Sequence, residues 1–213
     1  MPRGPRFDPE NADEIGLVAV GGDLRPERLL EAYRSGVFPW FGPEDPILWW
    51  SPDPRGVLEL TALHVPRRLQ RTLRSDRFRH TLNRAFAEVV RGCADRPGDG
   101  CWITPSMIGA YEELHARGHA HSLEVWAGDE LAGGIYGVAV GALFAGESMF
   151  TRRRDASKVA LVRLVEHLRQ RGFQLFDIQL VTDHTARFGA RAIPRDEYLA
   201  RLHEALRHEV SFV

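Results

Sequence analysis

An α+β protein, one sheet carrying helices on its faces, is the fold class this sequence predicts, and two stretches carry the prediction. From Ser122 to Phe150 the chain reads SLEVWAGDELAGGIYGVAVGALFAGESMF, a meander of strands that turns at Gly128-Asp129 and at Gly141. A helical run to Arg171 and the strand-like QLFDIQL follow, so a strand–helix–strand crossover returns onto the meander. The 213 residues are enough for one large domain, or for one domain with a small companion.

In chain order, residues 1–20 carry proline and glycine and lead into the apolar GLVAVGGDL. PERLLEAYRS (26–35) is a short helix with Pro26 in its first turn and Gly36 after its last. Five prolines between residues 39 and 54 exclude regular helix and disfavour central strand. This aromatic-rich run, VFPWFGPEDPILWWSPDPRGVL, therefore reads as an irregular connection between a small N-terminal unit (1–56) and the main domain (57–213). In HVPRRLQRTLRSDRFRHTL, Arg67, Arg71 and Arg74 share a helical face opposite Leu69 and Leu73. A second helix spans 83–95. A third spans 104–118, with Thr104 as N-cap, Pro105 at the first helical position and Gly118 as its stop. After the meander, Asp155 or Ser157 caps a helix whose stripe is Leu161, Leu164, Val165 and Leu168, and Gly172 ends it. The last helix, near 195–208, buries Tyr198, Leu199, Leu202 and Leu206.

Composition narrows the function classes. With 44% hydrophobic and 27% charged residues the chain has an ordinary soluble make-up. It contains no apolar stretch near the roughly 20 residues of a membrane span and no secretory h-region, so the cytoplasm is the expected compartment. Cys93 and Cys101 are too few for a disulfide framework and lack companions for a metal site. The net charge is −1, and Lys158 is the only lysine; arginine-rich codon usage is the simplest account of that bias.

Alternation along QLFDIQL places Asp177 and Gln179 on one face and Phe176, Ile178 and Leu180 on the other, toward the core. A carboxylate beside an amide suits the grip of a polar substrate. The strings GGDL–RLLEAY–GVFPWF, PILWWSPDPRGVL, CWITPSMIGAYEELHARGHAHSLEVW, FAGESMF, DASK and DIQ–DHTARFGA–IPRDEYL resemble the leucyl/phenylalanyl-tRNA–protein transferase family, in that family's order, from about Gly21 to Leu199. The resemblance implies an enzyme that moves Leu or Phe (Met is a further candidate) from aminoacyl-tRNA to proteins beginning with Arg or Lys, marking them for N-end-rule degradation. It also implies a small N-terminal domain and a larger GNAT (acetyltransferase-like) domain; ester-to-amide exchange is downhill, so no cofactor or metal is expected, and nothing in the sequence demands more than a monomer.

The donor in that reaction is an ester and the acceptor an α-amine, whose pKa near 7.7–8.0 leaves a useful neutral fraction. Alignment is the main task, a contribution of up to about 7–11 kcal/mol, together with removal of a proton and support of an oxyanion. The resemblance implies Glu147, Asp177 and Gln179 as the polar centre. Asp177 either accepts the amine's proton or holds the amine and the acceptor's cationic side chain; an ordinary aspartate is a poor base for an amine, which favours holding. Glu147, after Gly146 at a strand end, is expected where a bulge aims it into a cleft, or in an ion pair with Arg152 or Arg153. Phe144, Met149, Phe150 and Phe176 are candidates for the Leu/Phe pocket. Trp40 and Trp102, with Tyr33 and Tyr111 behind them, are candidates to stack on the terminal adenosine. For the tRNA phosphates the candidates are Arg67, Arg68, Arg71, Arg74, Arg77 and Arg79, then Arg152 and Arg153. Thr182 stands where most members carry Asn, and His184 reads as structural. The rivals are a CoA-dependent acetyltransferase, which TRRRDAS disfavours for want of glycine, and an RNA-binding module without chemistry.

Overall fold

The computed structural model describes residues 6–95 and 102–213, so Cys101 lies outside the described residues. Strand β1 (Leu17–Val20) is followed by α1 (Pro26–Arg34), β2 (Phe38–Pro39) and β3 (Leu48–Trp50), and the three strands form an antiparallel sheet in the order β1-β3-β2. The proline-rich run is thus not wholly irregular. Its prolines fall where a missing N–H does no harm: Pro39 on an edge strand, Pro43 and Pro46 in the loop, Pro52 and Pro54 beyond β3. Trp49 is fully buried and its indole donates to the Gly21 carbonyl at 2.8 Å.

The main sheet is built from β4 (Arg55–Leu58), β5 (Arg79–Leu82), β6 (Ala120–Ala127), β7 (Glu130–Val140), β8 (Leu143–Thr151), β9 (Leu175–Gln179) and β10 (Ala190–Ile193). Its order is β10-β4-β9-β8-β7-β6-β5. Strand β4 straddles the boundary expected after residue 56 and lies inside the sheet. The helices are α2 (Arg67–Arg74), α3 (Phe86–Ala94), α4 (Pro105–Ala116), α5 (Ala156–Arg171), the one-turn α6 (Asp183–Ala186) and α7 (Arg195–Leu206). Among the described residues no helix is long and apolar enough to cross a membrane.

Alternation on β7 sorts the core. Tyr136, Val138 and Val140 face a cluster with α1, α3 and α4, while Ile135 and Ala139 face α2 and α5. Thr104 caps α4, accepting from the Met107 N–H at 3.3 Å. Asp155 occupies the N-cap of α5 but makes no capping bond; its carboxylate takes Lys158 at 2.9 Å.

Strand β5, helix α6 and strand β10 depart from the sequence reading. Four-residue elements hold too little period to stand out, and β5 hides in the arginine run. Leu180 does not pack inward: β9 ends at Gln179 and Leu180 is 49% exposed. In α7, Tyr198 and Leu202 are buried as expected, with Leu199 and Leu206 partly so.

Candidate active site

The cleft exists because two neighbouring strands part. Strands β8 and β9 are the sheet's parallel pair, joined through α5, and pair only from Leu143–Leu175 to Ala145–Asp177. Beyond that point they diverge around a cleft of about 340 Å³, lined by Trp102, Ile135, Glu147, Met149, Leu161, Phe176, Ile178, Gln179, Thr182 and His184 among others.

Glu147 enters through a bulge in mid-strand, not at a strand end. Tyr136 pairs with Ser148 and the next residue, Gly137, with Gly146, which leaves Glu147 as the extra residue of β8. Its Oε2 accepts from the Tyr111 hydroxyl at 2.7 Å. The Tyr33 and Tyr111 hydroxyls are 2.7 Å apart; with Tyr111's proton committed to Glu147, Tyr33 is the donor of that bond. Glu147 Oε1 is buried without a hydrogen-bond partner among the described residues. Burial pushes the Glu147 pKa up to about 7 against the pull of the two phenols, and the Asp177 charge adds to the rise. The phenols of Tyr33 and Tyr111 are raised well above their ordinary value, by burial first and then by the Glu147 charge. The expected ion pair of Glu147 with Arg152 or Arg153 is not formed: Arg153 pairs with Glu130 at 2.5 Å, and Arg152 lies over the Phe150 ring.

Asp177 does not line the cleft. It is 1% exposed, and Arg55 Nε and Nη2 donate to its Oδ1 and Oδ2 at 2.9 and 2.6 Å. The Tyr198 hydroxyl donates to Oδ2 at 2.9 Å and the Gln179 backbone N–H to Oδ1 at 2.9 Å. Four donors occupy the carboxylate. Arg55 also reaches the Gly36 carbonyl at 3.0 Å and stacks on Tyr198 and Phe38, with ring centroids 4.4 and 4.7 Å away.

Gln179 has φ +58, a left-handed conformation that costs a side-chain-bearing residue on the order of 1–3 kcal/mol, and its bond to Asp177 holds it there. Its Nε2 is a second buried polar atom without a partner among the described residues. Alternation fails at this residue because it assumes extended backbone, so Gln179 faces the cleft while Asp177 faces Arg55.

Of the apolar candidates, Met149 and Phe176 line the cleft. Phe144 is core, 1% exposed and packed on Phe173, Phe176 and Phe212. Phe150, next to Met149 and so on the opposite face, packs against Gly92 of α3 and borders a separate cavity of about 500 Å³. Tyr33 and Tyr111, 2% and 0% exposed, are too deep to stack on a base and hold Glu147 instead. Trp102 lines the cleft. Trp40 does not; it is 45% exposed, edge-on to Trp50 at 6.2 Å. Thr182 is the N-cap of α6 in a reciprocal capping box with Thr185. The His184 pKa is lowered, by burial first and then by the Lys158 charge.

The arginine run is divided. Arg67, Arg68, Arg71 and Arg74 are exposed on α2, which packs on α5. Arg77 covers Phe78, and Arg79 lies on edge strand β5, over Trp126 and 3.7 Å from Asp129. Sequence reasoning missed Arg55 and Tyr198, whose partner Asp177 is 122 and 21 residues away respectively. The arginine in WWSPDPRGVL, beside a proline and inside an apolar strand, was the available signal for Arg55.

A family model described as leucyl/phenylalanyl-tRNA protein transferase matches residues 57–203, and the model of that family's N-terminal domain matches residues 22–53. A protein of Anaeromyxobacter sp. (strain K) named leucyl/phenylalanyl-tRNA–protein transferase is 61% identical over 210 residues, 97% of this chain and 90% of that protein. One of the same name from Nitratidesulfovibrio vulgaris (strain DP4) is 57% identical over 203 residues, 94% of this chain and 87% of that protein. Among solved structures, a GCN5-related N-acetyltransferase-like protein from Streptococcus suis superposes with a TM-score of 0.33 at 13% identity, over 87% of this chain and 63% of that one.

Proposed function

The chain belongs to the leucyl/phenylalanyl-tRNA–protein transferase family, and on that footing we propose that it moves Leu or Phe from tRNA to the N-terminal α-amine of proteins beginning with Arg or Lys, marking them for degradation in the cytoplasm. It is an enzyme, an aminoacyltransferase from tRNA to protein. The finer reading rests on one observation: the cleft holds a buried acceptor, Glu147 Oε1, and a buried donor, Gln179 Nε2, both without partners among the described residues. A buried polar atom left unsatisfied costs about 1–3 kcal/mol. An amine N–H would satisfy the first and a carbonyl oxygen the second.

In this reading the neutral amine attacks the ester carbonyl carbon. The developing oxyanion takes a hydrogen bond from Gln179 Nε2, the new N–C bond forms, and the ester C–O bond to the ribose breaks. The nitrogen gives its proton to Glu147 Oε1, and that proton passes on to the departing ribose oxygen, which leaves as a hydroxyl and returns Glu147 to its starting state. Glu147, with a pKa of about 7, is matched to an amine of pKa 7.7–8.0 far better than an ordinary carboxylate. Asp177 acts by position: clamped by Arg55 and Tyr198, it fixes the backbone of Gln179. Tyr33 and Tyr111 fix Glu147.

Met149, Phe176 and their apolar neighbours would take the Leu or Phe side chain. Trp102, and Trp40 outside the cleft, would stack on the terminal adenosine, and the exposed α2 arginines would hold tRNA phosphates. We read the β6–β7–β8 meander, α5 and the diverging parallel β9 as a GNAT-like arrangement behind a small N-terminal domain, acting as a monomer without cofactor. The test uses radiolabelled Leu-tRNA with a peptide beginning with Arg and the same peptide beginning with acetyl-Arg. Label on the free peptide alone is expected. Label on neither, from folded protein, overturns the reading.

A further inference from the structure

The residues after α7 reach the cleft from behind. Phe212 is 2% exposed, although the segment around it has no regular secondary structure. Its ring stacks on His121 (centroids 4.3 Å apart) and on Phe144 (5.5 Å), with His167 edge-on at 4.6 Å. The backbone around it is strapped to α5: Arg171 donates to the carbonyls of Ser211 and Val213 at 2.7 and 2.5 Å, and His167 Nε2 lies 2.6 Å from the Phe212 carbonyl.

Phe144 transmits the contact. Its ring stacks on Phe212, meets Phe173 edge-on at 6.2 Å, and meets Phe176, whose ring lines the cleft, edge-on at 5.7 Å. Both rings lie tight against bare backbone. A Cβ on Gly137 would come within 2.6 Å of the Phe144 ring, and one on Gly146 within 2.8 Å of the Phe176 ring. Neither ring can shift toward the strands. The space behind Phe176 is therefore set by Phe144, and the seat of Phe144 by Phe212 together with Phe173, which packs on both, in a close-packed stack.

We propose that Phe212 is a specificity-determining positioning residue, which sets the depth of the apolar cleft through Phe144 and Phe176 and so the balance between a branched aliphatic and an aromatic donor side chain. The proposal rests on the reading that this cleft takes the donor's side chain. Shortening residue 212 lets Phe144 settle back and Phe176 follow, which deepens the cleft and favours the longer aromatic donor.

The test compares kcat/KM for Phe-tRNA and Leu-tRNA in wild type, Phe212→Leu, Phe212→Ala and Met149→Ala, with thermal unfolding in parallel. Phe212→Leu keeps an apolar plug, so the comparison survives if Phe212→Ala fails to fold. The expected result is a Phe/Leu ratio at least about fivefold above wild type in Phe212→Leu, carried mainly by KM. A ratio within twofold of wild type in Phe212→Leu, with a clear shift in Met149→Ala, overturns the proposal and leaves the cleft assignment standing. An unchanged ratio in both variants overturns the cleft assignment and the proposal with it. A lowered melting temperature with an unchanged ratio assigns Phe212 a purely structural role, and that also overturns it.

Discussion

At the scale of single residues, Glu147 couples chemistry to stability. Its folded pKa of about 7 lies above the ordinary 4.5, so the native state binds its proton more tightly than the unfolded chain does. The stability this contributes is present below about pH 4.5 and is lost as pH rises through about 7, an effect on the order of 3 kcal/mol. Glu147→Gln should therefore slow transfer by at least about 10²-fold, yet flatten the fall in melting temperature between pH 5 and pH 8; a steeper fall in the variant would contradict the assignment. Arg55 should behave in the opposite way. Arg55→Met leaves the buried Asp177 carboxyl without its guanidinium partner, with an expected loss of about 3–5 kcal/mol in urea unfolding, and Asp177→Leu added to it should restore much of that. Gln179→Gly should separate the two roles of that residue: glycine accepts φ +58 freely, so stability should hold or rise while turnover falls by about 10²–10³-fold.

At the scale of elements, what was legible in the sequence followed period and punctuation. The β6–β7–β8 meander, α4 between Thr104 and Gly118, and α5 with its leucine stripe each carry many repeats of one period. The four-residue β5 and β10 and the one-turn α6 do not. The site was legible in part and for the same reason. The polar residues Glu147 and Gln179 stood out in strand runs, but the bulge that aims Glu147 depends on the register between β7 and β8, which no single strand encodes. The exposed arginines of α2 supply the prediction proper to this scale. Replacing Arg67, Arg71 and Arg74 with Gln should raise KM for aminoacyl-tRNA, leave peptide KM unchanged, and lower the slope of log K against log salt by about 0.7–0.9 for each phosphate no longer neutralised. An unchanged salt slope would remove α2 from the tRNA surface.

At the scale of the whole molecule, the site belongs to both sheets' surroundings. Tyr33 comes from α1, Tyr111 from α4, Glu147 from β8, and Arg55 joins Asp177 of β9 to the carbonyl of Gly36. Gly36 itself allows close approach, since a Cβ there would lie 2.7 Å from the Leu199 side chain of α7. These joints link residues 19 to 122 positions apart, which is why local pattern pointed to Asp177 as a group facing substrate and missed the arginine that encloses it. The most direct measurement is a single-turnover transfer from Leu-tRNA to an Arg-initiated peptide across pH 5 to 9, in wild type and in Glu147→Gln, with Leu-tRNA binding measured alongside. The account predicts a wild-type rate that climbs through about pH 7, and a variant at least about 10²-fold slower that lacks this inflection and binds Leu-tRNA as wild type does. A variant that transfers at the wild-type rate, or keeps the inflection near pH 7, would contradict it.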